Sequence, residues 1–151
     1  MVNLVKISKN TKETQKVAGD LAYKVIASRN PVVIALEGEL GAGKTTFVKG
    51  FAKALGIKAK IKSPTFTLMK QYQIKPASLY HIDCYRIRDH RDLVTLDLKS
   101  IFKSPNSVIL IEWPERIGKI LPKKLIRVHI DHINHNKRKI TISQTIKQLS
   151  K

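Results

Sequence analysis

The chain has 151 residues and a net charge of +18, from 29 Lys or Arg against 11 Asp or Glu, and 42% of its residues are hydrophobic. That length supports one domain with a core of its own and excludes a nucleotide module joined to an independent substrate domain. The first ten residues interleave Asn3, Lys6, Lys9 and Asn10 with apolar ones, no stretch has the roughly 18 apolar residues of a membrane span, and the lone Cys84 excludes an internal disulfide, so the expectation is a single cytoplasmic domain over 1–151 with no membrane partner.

The first predicted element is a helix capped by Ser8 or Asn10, with Val17, Ala18, Leu21, Ala22, Val25 and Ile26 on one apolar face, running to near Asn30 and Pro31. A continuous apolar run, Val32 to Leu36, reads as a buried central strand. Directly after it, residues 38–45 spell Gly-Glu-Leu-Gly-Ala-Gly-Lys-Thr, a complete G-x-x-x-x-G-K-[ST] phosphate loop. Gly38, Gly41 and Gly43 let the backbone curl so that its N–H groups, with those of Glu39, Leu40 and Ala42, cradle phosphate oxygens. Lys44 reaches the β- and γ-phosphates as a point charge, and Thr45 offers a hydroxyl to Mg2+. Thr46 follows in a helix whose Phe47, Val48, Phe51, Ala52 and Leu55 share a face before Gly56 stops it, and whose N-terminus is aimed at the anion. The motif in this strand-to-helix context makes ATP the expected ligand.

Ser63-Pro64-Thr65 marks a bend before an alternating strand of Phe66, Leu68, Lys70 and Tyr72. Thr65, a threonine in a Pro-containing segment after the first loop helix, reads as a switch residue sensing the γ-phosphate and metal, or as an ordinary turn hydroxyl. Two further apolar strands end in acids: Leu79 to Ile82 in Asp83, and Val108 to Ile111 in Glu112. Ligands gather at the carboxyl ends of strands in open α/β sheets, so the loop and both acids face one crevice. Glu112 follows the cleaner buried strand and is the favoured metal ligand, leaving Asp83 to orient the attacking water or brace the metal shell; a salt bridge to lysine is the simpler account of either. Arg86 and Arg88 stand where they can neutralise phosphate charge or pair on the surface. Trp113 reads as a stacking residue or as core.

Leu93, Leu96, Ile101 and Phe102 predict a helix or two between the acids. Ile126, Val128 and Ile130, then Ile140 and Ile142, alternate across a polar turn at Asn134 to Lys137, a C-terminal β-hairpin. His129, His132 and His135 begin on that strand, where their side chains diverge, and read as solvated rather than metal-binding. Charge is uneven: eight lysines and no acid fall between Leu40 and Ile82, and nine Lys or Arg accompany Asp131 over residues 119–151. Such a field attracts polyanions, a triphosphate or a nucleic acid, unless it simply reflects lysines on a solvated face.

Together, the loop through Thr46, Ser63-Pro-Thr-Phe-Thr67, His81-Ile-Asp-Cys-Tyr-Arg86 and Ile111-Glu-Trp-Pro114 closely resemble the bacterial TsaE (formerly YjeE) family, small ATPases of tRNA threonylcarbamoyladenosine biosynthesis. The resemblance runs from about Thr11 to the hairpin. It implies an α/β phosphate-loop NTPase fold with a central mixed sheet flanked by helices, weak intrinsic ATP hydrolysis, Mg2+ held at Thr45 and Glu112, an important acid at Asp83, and an adenine-side contact at Thr11. It also implies work with TsaD and TsaB, which modify adenosine 37 of tRNAs reading codons that begin with A, with ATP turnover resetting that assembly. Tyr-Arg is followed here by Arg91-Asp92 where many relatives carry an acidic pair, and Asp97 stands where a glycine is frequent. Direct tRNA contact is a hypothesis from charge. Two alternatives share the loop: a small-molecule or nucleoside kinase, for which Arg86 to Arg91 would be a lid, and a basic RNA-binding module that holds nucleotide structurally.

Overall fold

The computed structural model describes residues 3–62, 68–88, 92 and 96–145. Seven strands form one mixed sheet: β1 (Asn3–Ser8), β2 (Val32–Glu37), β3 (Met69–Ile74), β4 (Ala77–Asp83), β5 (Ser107–Glu112), β6 (Leu125–His132) and β7 (Arg138–Thr145), in the order β1-β7-β6-β2-β5-β4-β3. The middle four, β6, β2, β5 and β4, are mutually parallel; β7, β1 and β3 add antiparallel edges. The β6–β7 hairpin closes on a turn in which the Asn134 side chain accepts from the N–H groups of Asn136 and Lys137, each 3.0 Å away.

Strands buried on both faces explain the unbroken apolar runs of β2 and β5. On one face, Ile34, Leu36, Leu79, Val108, Leu110, Val128 and Ile130 meet two helices, α1 (Thr11–Val25) through Ala18, Leu21, Ala22 and Val25, and α2 (Lys44–Ala54) through Phe47, Val48, Phe51 and Ala52. Phe47 and Phe51 are completely buried, each contributing about 1.5–3 kcal/mol. On the other face, Val33, Ala35, Ile82, Ile109 and Ile111 pack beneath Leu98, Ile117 and Leu125. Of the helix or two expected between the acids, Leu98–Ile101 is a single turn, and Asp92 is also helical, its neighbours lying outside the described residues.

Three boundaries depart from the residue pattern, one being that the strand expected to include Leu68 begins at Met69, with Leu68 in a left-handed bend of φ 62°. α1 stops at Val25 rather than near Asn30, because Ser28 turns its hydroxyl onto the Asn30 carbonyl at 3.0 Å and Pro31 biases Asn30 away from helix. Nothing in the pattern singles out a strand before α1, yet Asn3–Ser8 pairs along β7 from Asn3↔Ser143 to Ser8↔Arg138. The predicted switch residue Thr65, together with Ser63, Pro64, Phe66, Arg91 and Leu93, lies outside the described residues.

What matters for function is that the parallel strands all end at one edge. Leu36 and Asp83 both sit beside Glu112 in the β2–β5 and β4–β5 registers, so the loop leaving β2 and the two terminal acids share one end of the sheet.

Candidate functional site

The loop from Gly38 to Gly43 links β2 to α2 and folds tightly on itself, with the Ala42 N–H donating to the Glu39 carbonyl at 3.0 Å. Gly41 and Gly43 adopt φ of 80° and 111°, a region that a side chain disfavours. Gly38 is needed for space: a Cβ there would stand 2.7 Å from the Ile130 carbonyl oxygen of β6.

The two helix N-termini differ in how their amides are satisfied. At α1, the Asn10 side chain accepts from the Glu13 N–H at 2.9 Å, and the Glu13 carboxylate accepts from the N–H of Lys9, just before the cap, at 2.9 Å. At α2, the cap residue is Gly43, which has no side chain to give, and the first turn has no acid. The leading amides of α2 therefore face the cleft with the positive end of the helix dipole behind them.

That cleft, about 440 Å³, is lined by Leu40, Gly41, Gly43, Lys44, Thr45, Thr46, Asp83, Arg86 and Glu112, with Leu68, Tyr85 and Trp113. Ten of the residues singled out from sequence, Arg86 and Trp113 included, thus meet in one place. Gly38 and Glu39 line an adjoining cavity, which shares Leu40 and Trp113 with the cleft. Ala42 is buried, and its carbonyl accepts from Arg138 Nε at 2.9 Å. Thr11 is exposed at the start of α1 and lines neither cavity.

Lys44 is buried, its ammonium donating to the Gly38 carbonyl and, at 3.5 Å, to that of Glu39. The same nitrogen stands 3.5 Å from the centre of the Trp113 ring, a cation–π contact. Burial holds its pKa below the ordinary lysine value, opposed by the carboxylates of Glu112, Glu115 and Asp83. Trp113 takes a left-handed backbone, φ 58°, immediately after β5, and its ring also packs on Tyr85 at 4.9 Å. It is therefore part of the cleft wall.

Glu112 is buried and its Oε2 lies 2.6 Å from Nε2 of His81, a residue of β4 with no exposure to solvent. Asp83 accepts from the Tyr85 N–H at 3.0 Å. Cys84 between them is a buried free thiol, pushed up to about 12 first by burial and then by Asp83, Glu115 and Glu112. His129 pairs with Glu37 and Asp131 at 3.4 and 3.0 Å on the exposed face of β6. Among the described residues no group of three or more His, Cys, Asp or Glu is arranged to hold a metal by itself, and no helix is long and apolar enough to cross a membrane.

Sequence reasoning quoted His81 inside a motif without giving it a role, and passed over Arg138. The signal for His81 was a polar residue inside an otherwise apolar strand. For Arg138 there was none, because its target lies across the fold.

The family model described as "Threonylcarbamoyl adenosine biosynthesis protein TsaE" matches residues 8–140. The tRNA threonylcarbamoyladenosine biosynthesis protein TsaE of Bacillus subtilis is 41% identical over 111 residues, covering 74% of this chain and 68% of the relative. The protein of that name from Aquifex aeolicus is 38% identical over 138 residues, 90% of this chain and 92% of its own. A crystal structure of Bacillus subtilis YdiB superposes with a TM-score of 0.80 at 33% identity, covering 96% of this chain and 87% of that one.

Proposed function

Because the chain belongs to the TsaE family of tRNA threonylcarbamoyladenosine biosynthesis proteins, we propose that it is a Mg2+-dependent ATPase with a phosphate-loop NTPase fold over a single domain, 1–151. It acts in forming threonylcarbamoyladenosine at position 37 of tRNAs that read codons beginning with A. The observation that carries the reading is the convergence of Lys44, Thr45, Asp83 and Glu112 on one cleft, beneath a helix N-terminus that lacks a side-chain cap of its own. Family membership supports this reading over the kinase alternative.

In this reading the loop amides and the start of α2 bind the phosphates, and Lys44 supplies the cation for their β and γ oxygens. Thr45, Asp83 and Glu112 offer only oxygen donors to the cleft, a set suited to a hard cation. Thr45 and Glu112 would hold Mg2+, which would supply charge neutralisation at the transferring phosphoryl group. Asp83 accepts a hydrogen bond from the water that attacks the γ-phosphorus as the bond to the β,γ-bridging oxygen breaks. Trp113 and Tyr85 wall the cleft. Gly38, Glu39 and Ala42 complete the loop whose amides hold the phosphates, Thr11 serves as an adenine-side contact, and Thr65 completes the switch.

Function then lies in coupling: TsaD and TsaB homologues read the nucleotide state, turnover resets the assembly, and the transfer chemistry belongs to the partners. Exposed lysines on and after α2, Lys49, Lys53, Lys58, Lys60 and Lys62, support tRNA contact within that assembly. The protein works in the cytoplasm.

The test is ATP hydrolysis with and without Mg2+ by the protein alone and with its TsaD and TsaB. Glu112→Ala is expected to lower partner-stimulated turnover by about 100-fold or more, and Thr45→Ala to weaken hydrolysis more than nucleotide binding. Brisk turnover indifferent to the partners and to Glu112 would sink the proposal.

A further inference from the structure

One buried titratable side chain has no part in the reading above. His81 stands on β4 two residues before Asp83, fully excluded from solvent. Its Nε2 makes a 2.6 Å contact with Glu112 Oε2, while its Nδ1, equally sealed from solvent, has no hydrogen-bond partner among the described residues. A neutral imidazole has one donor and one acceptor nitrogen. With Nε2–H donating to the carboxylate, the nitrogen left over is a bare lone pair rather than a buried N–H. Even so, an unpaired buried ring nitrogen is a cost that an apolar residue in this strand would not carry. Leu79, two residues earlier on the same strand face, shows what an apolar strand puts there.

The return on that cost is confined to one oxygen of Glu112. Glu112 ends β5 with its backbone held too, since its carbonyl accepts from the Cys84 N–H at 3.0 Å. Its side chain has free rotations of its own, and a carboxylate at a strand end can present either oxygen or neither to the cleft. His81 removes that freedom: it engages Oε2 from within the sheet and leaves Oε1 for groups in the cleft.

We propose that His81 is a positioning residue for Glu112, orienting its carboxylate so that one defined oxygen serves the nucleotide's divalent cation. This rests on the reading of Glu112 as a cation ligand given above. Partners of this kind, one shell removed from the cation, typically change metal affinity or activity by about 10–100-fold when removed.

The experiment compares wild type, His81→Leu, His81→Gln and Glu112→Gln for binding of a fluorescent ATP analogue with and without Mg2+, for ATPase kcat and KM, and for melting temperature. Glutamine keeps an N–H donor at similar reach, and leucine does not. Expected is that His81→Leu loses most of the Mg2+-dependent gain in analogue affinity, about tenfold or more, with kcat falling and Mg2+-free affinity held within about twofold. His81→Gln should restore a substantial part of both. His81→Met serves as a second apolar variant, so that a misfolded leucine variant does not decide the matter.

Equal defects in the glutamine and apolar variants, or an intact Mg2+ effect in the apolar ones, would overturn the positioning role. If Glu112→Gln itself keeps the full Mg2+ effect, the cation-ligand reading fails, and this proposal with it. If Glu112→Gln loses the effect while His81→Leu retains it, only the proposal about His81 falls.

Discussion

Asp97 shows how a single residue can carry a backbone meant for another. It caps the Leu98–Ile101 turn with φ 49° and ψ 50°, in the left-handed region, and its side chain makes no capping bond. Left-handed backbone costs a residue with a Cβ roughly 1–2 kcal/mol, less for Asp than for most. Asp97→Gly is expected to raise unfolding free energy by up to about 1 kcal/mol, and Asp97→Ala to lower it; urea denaturation of both variants checks the pair. The same scale shows what the sequence made legible. Lys44, Thr45, Asp83 and Glu112 could be read because a loop motif and two strand ends announce them. His81 and Arg138 could not, because the bonds that define them span 31 and 96 positions. A histidine within Leu-Tyr-His-Ile-Asp reads as one more strand residue until the neighbouring strand is known.

At the scale of elements, periodicity found α1, α2 and the buried strands because each has one environment per face. It missed β1 because that edge strand has no consistent inside: Val5 and Ile7 are about half exposed, 52% and 50%, with exposed Lys6 between them. Edge strands paired on one side only lose the alternation on which such readings depend. The pairing of α1 with α2 was equally hidden, although Gly50 marks it. A Cβ at Gly50 would lie 2.4 Å from the Gln15 Cα and 2.6 Å from its carbonyl oxygen, both backbone atoms that cannot step aside. Gly50→Ala is therefore expected to push the helices apart and cost about 2–3 kcal/mol, despite alanine's better helix propensity. A midpoint in chemical denaturation equal to wild type would show that the helices are not in this contact. Since α2 begins at Lys44, displacing it should also disturb the cleft, so nucleotide affinity ought to fall along with stability.

Across the whole molecule, the charge is sorted. Of the 11 acids in a chain of net charge +18, Glu37, Glu39, Asp83, Glu112, Glu115 and Asp131 line the two adjoining cavities around the glycine-rich loop. Lysines dominate the outer surface of the two helices, with Lys12, Lys16, Lys24, Lys49 and Lys53 all exposed. Composition alone announced a basic protein; only the fold separates a carboxylate-rich mouth from a basic back, because strand ends far apart in sequence converge there. The wall between the two cavities also has an optical consequence. Trp113 is the only tryptophan in the chain, and its indole lies against the Tyr85 ring and under the Lys44 ammonium. The protein's intrinsic tryptophan emission therefore originates from one ring beside the Lys44 ammonium, which we propose binds phosphate. Titration with ATP should change that emission in the wild type and leave a Lys44→Met variant nearly flat, whereas a flat wild-type trace would mean that the ammonium stays over the indole. The molecule thus carries its own unlabelled dye at the place where its state must be read.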